Sequence, residues 1–178
     1  MNTKKITYII LIVLIAIGIG SYIILTKKSA KNIPAETQIT QTETEVVYKN
    51  TEYGFDFSLP DSWKGYSVIE DKWEGQILDA QGTLESATKL EGPKITIRHP
   101  LWTQEAPRQD IPIMIFTLPQ WDLIQQEKLS VSAAPIGPME LGSNANYVFA
   151  LPARYNFAFL TGFEEVQKII EDKSLSTF

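Results

Sequence analysis

The chain contains no cysteine, one histidine, and three arginines against thirteen lysines. The absence of cysteine excludes a disulfide framework, a zinc-thiolate site, a cysteine nucleophile and a lipid-modified cysteine within this sequence. A Ser-His-Asp triad would have to use His99 as its base, and one histidine without cysteine is a poor start for a zinc centre. No Gly-x-Ser-x-Gly elbow, phosphate-binding loop or dinucleotide fingerprint is present, and no internal repeat is visible. The expectation is therefore no catalytic set, no metal and no cofactor.

Charge is missing from one stretch altogether, the run that begins at Ile6 and ends at Leu25. As a helix its twenty residues would reach about 30 Å, the thickness of a bilayer's hydrocarbon core. The pattern predicts a basic tail over residues 1–5, a transmembrane helix over 6–25 and a flexible polar spacer over 26–45. It leaves one domain over 46–178, long enough to bury its own core. Lys4 and Lys5 precede the run and Lys27, Lys28 and Lys31 follow it, so flanking charge is nearly balanced and does not set orientation. A short basic tail followed by an apolar run is the form of a signal-anchor. It places the N-terminus inside and the domain outside the cell membrane, with a single pass. The run exceeds the apolar core of a cleaved signal, about 7–15 residues. Lys28 also stands where cleavage after Ala30 would want a small neutral side chain, so retention is expected. The spacer is rich in Thr, Gln and Glu, and twenty such residues have an r.m.s. span of about 25 Å.

Residues 1–31 carry five lysines and no acid, leaving 11 basic against 21 acidic residues in the remainder, a net charge of −10. Such a domain would be repelled by nucleic acid and by anionic lipid. Proteins, cations, neutral sugars or small molecules are the partners this charge permits.

The domain opens at Val46 to Asn50, and Phe55, Phe57 and Leu59 then alternate with Asp56 and Ser58, the period of a half-buried strand. Pro60-Asp61-Ser62 marks a turn before Trp63. Two short strands are predicted over 66–69 and 75–78, then a loop over 79–92. The next strand, 94–99, has Ile95, Ile97 and His99 on one face and ends at Pro100. After a loop over 101–110, residues 111–117 form a strongly apolar, central strand. Thr117 with Gln120, and proline in the first turn, predicts a capped helix to about Lys128 with Trp121, Ile124 and Leu118 on one face. Residues 129–133, 146–151 and 155–159 read as extended. Thr161 with Glu164 forms a second capping pattern, ahead of a helix with Phe163, Val166, Ile169 and Ile170 in a stripe. The fold class is α+β, a mostly antiparallel sheet covered by helices on at least one face.

The run Glu52-Tyr53-Gly54-Phe55-Asp56-Phe57-Ser58-Leu59-Pro60-Asp61-Ser62-Trp63 resembles the start of PsbP-like domains, which open on an aromatic-alternating strand followed by Pro and Trp. Residues 97–102 and 108–114 also look like a group of uncharacterised membrane-anchored bacterial proteins. The PsbP-like resemblance covers about a dozen residues. It implies an α-β-α sandwich and a non-enzymatic role in assembly or binding, and it carries no catalytic residues.

The distribution of arginine points to a candidate site. Arg98 and Arg108 lie at the loop that holds His99, Trp102 and Asp110, and Arg154 also stands beside aromatics. A guanidinium fork suits carboxylates and ring faces. One reading is that Arg98 or Arg108 pairs with Asp110 to fix the loop. The other is that Arg98, Trp102, Arg108, Asp110 and Arg154 belong to a binding cleft for an anionic group or a peptide terminus. His99, in register with Ile95 and Ile97, is expected to be at least half buried and bonded to backbone. Trp73 and Trp102 would be platforms in a carbohydrate-binding module, Trp63 and Trp121 being core. The carboxylate pairs Glu70/Asp71, Glu164/Glu165 and Glu171/Asp172, which an envelope hydrolase would need, read as solvated faces. The function expected is that of a non-catalytic, membrane-anchored binding or assembly module outside the cell, with a protein or small-molecule ligand.

Overall fold

The computed structural model describes residues 45–78, 88–134 and 136–178. The transmembrane helix expected over 6–25 and the tail and spacer around it, up to residue 44, lie outside the described residues. Among the described residues no helix is long and apolar enough to cross a membrane.

The domain is mostly antiparallel sheet. Strands β1 (Val46–Asn50), β2 (Phe55–Leu59) and β9 (Leu175–Thr177) form a small sheet in that order. The larger sheet is built from β3 (Ser67–Ile77), β4 (Lys89–Arg98), β5 (Ile111–Thr117), β6 (Leu129–Ser130), β7 (Met139–Ser143) and β8 (Tyr147–Leu151). Its order is β6-β3-β4-β5-β8-β7. Two helices, α1 (Leu118–Gln125) and α2 (Phe163–Glu171), complete the described elements apart from a 3₁₀ turn at Asp61–Trp63.

β5 is apolar on both faces because both faces are covered. Ile111, Ile113 and Ile115 pack with Phe55, Phe57 and Leu59 of the small sheet, with Trp63, and with Val166 and Ile169 of α2. Met114 and Phe116 point the other way, into a cluster with Trp73, Leu129 and the α1 residues Trp121 and Ile124. The α1 cap forms as the sequence predicts: Thr117 and Gln120 exchange side-chain to backbone bonds.

Several expectations are corrected. The two strands predicted over 66–69 and 75–78 are one continuous strand, β3. It pairs with β4 over ten consecutive positions, from Ser67↔Arg98 to Gln76↔Lys89. That pairing also draws Lys89 to Gly92 out of the predicted loop. Charged Glu70, Asp71, Lys72 and Glu74 belong to a strand because they face solvent. Helix α1 stops at Gln125, with Glu127 in the left-handed region at φ 56°, and Leu118 is exposed. β6 has two residues rather than five. Residues 155–159 are not extended: three successive turns close from Pro152 to Tyr155, Arg154 to Phe157 and Asn156 to Phe159. The second capping box does not form, since Gly162 at φ 84° is the N-cap of α2 and makes no side-chain bond. Strands β7 and β9 carry too few apolar residues to have signalled themselves.

The topology brings specific loops to one end of the domain. Val46, where β1 begins, is opposite Leu59, where β2 ends. β3 begins beside the end of β4, Ile97 faces Ile111 at the start of β5, and β8 ends at the neighbouring position. Tyr66 donates to the Val47 carbonyl at 3.5 Å, tying the β2–β3 connection to the domain's first strand. The connections 60–66, 99–110 and 152–162 therefore share the end at which the chain enters the domain.

Candidate functional site

At this end the β4–β5 connection is built around Arg98 and Asp110. Arg98 Nη2 donates to Asp110 Oδ2 at 2.7 Å, and Nε reaches both carboxylate oxygens at 3.2 and 3.3 Å. The same guanidinium lies 3.8 Å from the centre of the Trp102 ring. Both charged side chains are less than a third exposed. A two-point ion pair with a stacked ring is a strong local clamp, and it is Arg98, not Arg108, that pairs with Asp110.

Gln109, between them, is the buried polar residue that the sequence reading did not single out. Its side chain donates to the carbonyls of Asp110 and Tyr155 at 3.0 and 3.1 Å, and its backbone donates to Thr161 at 2.9 Å. With the parallel bridge of Arg108 to Thr161, these bonds weld the 99–110 loop to the 152–162 loop. A glutamine flanked by charged residues offers no periodic signal of burial; only the facing carbonyls explain it.

His99 is 4% exposed. Its Nδ1 accepts from the Leu101 backbone at 3.1 Å, which puts the neutral ring's proton on Nε2. The ring meets the buried Trp63 edge-on, with centroids 5.0 Å apart. Burial, followed by the Arg108 charge, lowers the His99 pKa, against a smaller opposing pull from Glu165. Glu165 itself accepts from the Ser62 hydroxyl. The expected buried, backbone-bonded histidine is what the structure contains. Its acceptor nitrogen is committed to the chain and is not free to act as a general base.

The arginines separate into different environments. Arg98 is clamped, and Arg108 is half-buried near His99 and Gly162, with a buried Nε that has no hydrogen-bond partner. Arg154 is exposed, in the left-handed region at φ 55°. Arg98, Trp102 and Asp110 thus form one unit, Arg108 adjoins it through the loop weld, and Arg154 projects from the neighbouring turn ribbon.

Trp73 is not a platform. It is 3% exposed, its Nε1 donates to the Ile115 carbonyl at 2.8 Å, and its ring lies over Gly92, where a Cβ would come within 2.5 Å of the indole. Trp102 is half-buried with one face against Arg98. Trp63 and Trp121 are core, as expected. Of the carboxylate pairs, Glu70, Asp71, Glu164, Glu171 and Asp172 are exposed and Glu165 is half-buried.

A second concave surface, of about 690 Å³, lies along the β3–β4 ribbon beside the β1–β2 turn. Glu52, Glu70, Asp71 and Glu91 line it with Lys72 and Lys94. Lys94 pairs with Asp71 at 2.9 Å and Lys72 with Glu91. Burial and the neighbouring Glu52 push the Tyr53 pKa up to about 12, so the phenol stays protonated. Among the described residues no group of three or more His, Asp or Glu is placed to hold a metal ion.

What the sequence reading missed is apolar. Phe157 is 76% exposed and Phe159 66%, on the turn ribbon, and Leu101 is 67% exposed on the loop welded to it. No protein-family model, curated protein or solved structure matches this chain.

Proposed function

We propose that this protein is a single-pass membrane protein whose domain lies outside the cell and serves as a non-catalytic binding or assembly module on a PsbP-like α-β-α sandwich. The observation that carries the proposal is the uncharged run of residues 6–25 placed behind a short basic tail and ahead of an acidic remainder, residues 32–178, of net charge −10. Support for binding over catalysis comes from the loop end. His99 and the Arg98–Asp110 pair, the groups a catalyst would draw on, are engaged in holding the loops. In this reading Arg98, Trp102 and Asp110 form the frame, and Arg108 and Arg154 are the cations that frame presents to a partner.

The test is proteolysis of intact cells that produce the full chain, read with antibodies to the domain. Digestion from outside, with the chain resisting alkaline extraction from membranes, supports the proposal; a protected domain overturns the orientation, and an extractable chain overturns the anchor. Native electrophoresis of solubilised membranes tests assembly. The chain should migrate within a larger complex that the folded variant Arg108→Gln/Arg154→Gln fails to enter, and migration as a free monomer would count against a binding role.

A further inference from the structure

Strand β3 leaves most of one edge open. β6 pairs with it at two positions only, Gln76↔Ser130 and Ile77↔Leu129. Among the described residues no other strand lies on that side of Ser67 to Gly75. The alternation of an antiparallel ladder says which backbone groups are left over. Ile77 donates its N–H to the Thr88 carbonyl, toward β4, and Leu78 donates to Lys128, away from it. Pairing with β4 runs without a shift from Gln76 back to Ser67, so Val68, Glu70, Lys72 and Glu74 turn their N–H and C=O groups outward. Among the described residues one of those four N–H groups has a partner, that of Lys72, which donates to Asp71 Oδ1 at 2.8 Å.

Side chains on this flank are placed as folding demands; its backbone is not. A long open edge is a template for another strand, and proteins usually shorten it, bulge it or place proline in it. Ser67 to Gly75 has neither proline nor bulge. Its remaining protection is charge, and that charge is selective. Lys72 is held by Glu91 and Lys94 by Asp71, which leaves Glu70 and Glu74, both exposed, with no cation among the described residues. A second copy of this chain is disfavoured, because the antiparallel register that uses the whole edge sets Asp71 directly opposite the same residue of the copy. A basic strand meets no such opposition. Space for one is present as well. The chain leaves β3 after Ser130, across a gap of about 350 Å³ lined by Glu74, Gln76, Ser130 and Ser132, and Glu70 and Lys72 line the groove shared with β4.

The geometry points to the β3 edge as a docking site for an extended basic peptide of a partner protein, added antiparallel to β3 and in line with β6. Its backbone bonds the outward groups of Val68, Glu70, Lys72 and Glu74, as in other cases of strand addition. Lysine or arginine side chains four residues apart stand opposite Glu74 and Glu70, with a neutral residue between them opposite Lys72 and an apolar one opposite Val68. The Lys72 N–H exchanges Asp71 for the peptide, while Asp71 Oδ2 keeps Lys94. This site is separate from the arginines of the loop end and does not draw on the N-terminal run.

The test uses the full chain in detergent micelles and a synthetic eight-residue peptide of valine and threonine with lysine at its first and fifth positions. Binding should slow amide hydrogen exchange at Val68, Glu70 and Glu74 by at least about tenfold and leave the β3 amides that face β4 unchanged. Methylating the backbone nitrogens of the third and fifth peptide residues removes the ladder and keeps the charge, and it should abolish the protection. Glutamate in place of the two lysines should weaken binding at least about tenfold, and the exposed double substitution Glu70→Lys/Glu74→Lys should restore it. Equal binding of the N-methylated peptide overturns the proposal in favour of charge attraction alone, and no binding at millimolar peptide overturns it outright. Protection that needs no peptide and rises with protein concentration overturns it in favour of pairing between two chains. The variant Arg108→Gln/Arg154→Gln should bind the peptide as the wild type does. A loss in that variant moves the site to the loop end and overturns this one, whereas failure of the peptide to bind leaves the loop-end reading standing.

Discussion

The loop end and the β3–β4 flank invert each other. On the flank, charges face water and the aromatic ring is inside: Glu70, Lys72 and Glu91 are exposed while Trp73 lies buried over Gly92. At the loop end the ion pair is the inner feature and the aromatic rings are outside, with Arg98 clamped by Asp110 and Phe157 and Phe159 in solvent. The flank is what folding alone selects, since it hides apolar surface and solvates charge. The loop end departs from that rule at two places, the partly buried Arg98–Asp110 pair and the exposed rings of Phe157 and Phe159. The difference teaches where to look for function: in the part of the surface that stability does not explain.

The comparison breaks most easily at Gly92. A Cβ there would meet the Trp73 indole and lift it from the Ile115 carbonyl. Gly92→Ala should therefore cost about 2–4 kcal/mol in urea unfolding, through overpacking and a lost buried hydrogen bond. Wild-type stability in this variant would mean that the flank is not held by its buried ring. At the loop end, Asp110→Ala leaves the Arg98 fork without its partner and should cost about 1–2 kcal/mol. A cycle with Arg98→Met should return a favourable coupling, and an additive cycle would remove the clamp from the account.

A third test uses pH. His99 titrates below the ordinary value of 6.5 in the folded chain because burial, and then Arg108, oppose its charge. The unfolded chain therefore binds the proton more readily, and the stabilising effect is complete above pH 6.5 and lost as pH falls below it. His99→Asn keeps an acceptor near the Nδ1 position and should flatten this step in thermal melts taken across that window. An unchanged slope would assign the acid sensitivity to other groups. The smallest effect expected is at the ribbon: Phe157→Ser and Phe159→Ser should each change stability by no more than about 0.5 kcal/mol. A large loss from either would make those rings structural and would end the contrast between the two regions.

Local pattern carried the reading furthest where one residue's neighbours in sequence are also its environment. The alternation of Phe55, Phe57 and Leu59, the doubly apolar β5 and the Thr117–Gln120 cap all formed as read. The Arg98–Asp110 pairing was legible as one of two alternatives, because two arginines precede the acid in the same stretch. Reading failed where a partner distant in sequence decides. The charged centre of β3 is strand because β4 pairs with it, and Tyr155 to Phe159, which alternates like a strand, is turn because it joins the end of β8 to α2 instead of extending the sheet.

By itself, then, the sequence determined the uncharged run of residues 6–25, the charge asymmetry that follows it, the strand and helix segments with strong period, and the lack of cysteine for thiol chemistry. Tertiary structure alone decided which tryptophan is buried, which arginine is clamped, that Gln109 joins two loops, and that two phenylalanines are left in solvent at the end where the chain enters. The physical reason is that period reports which face of an element is apolar, whereas burial and pairing depend on what the rest of the chain brings to that face.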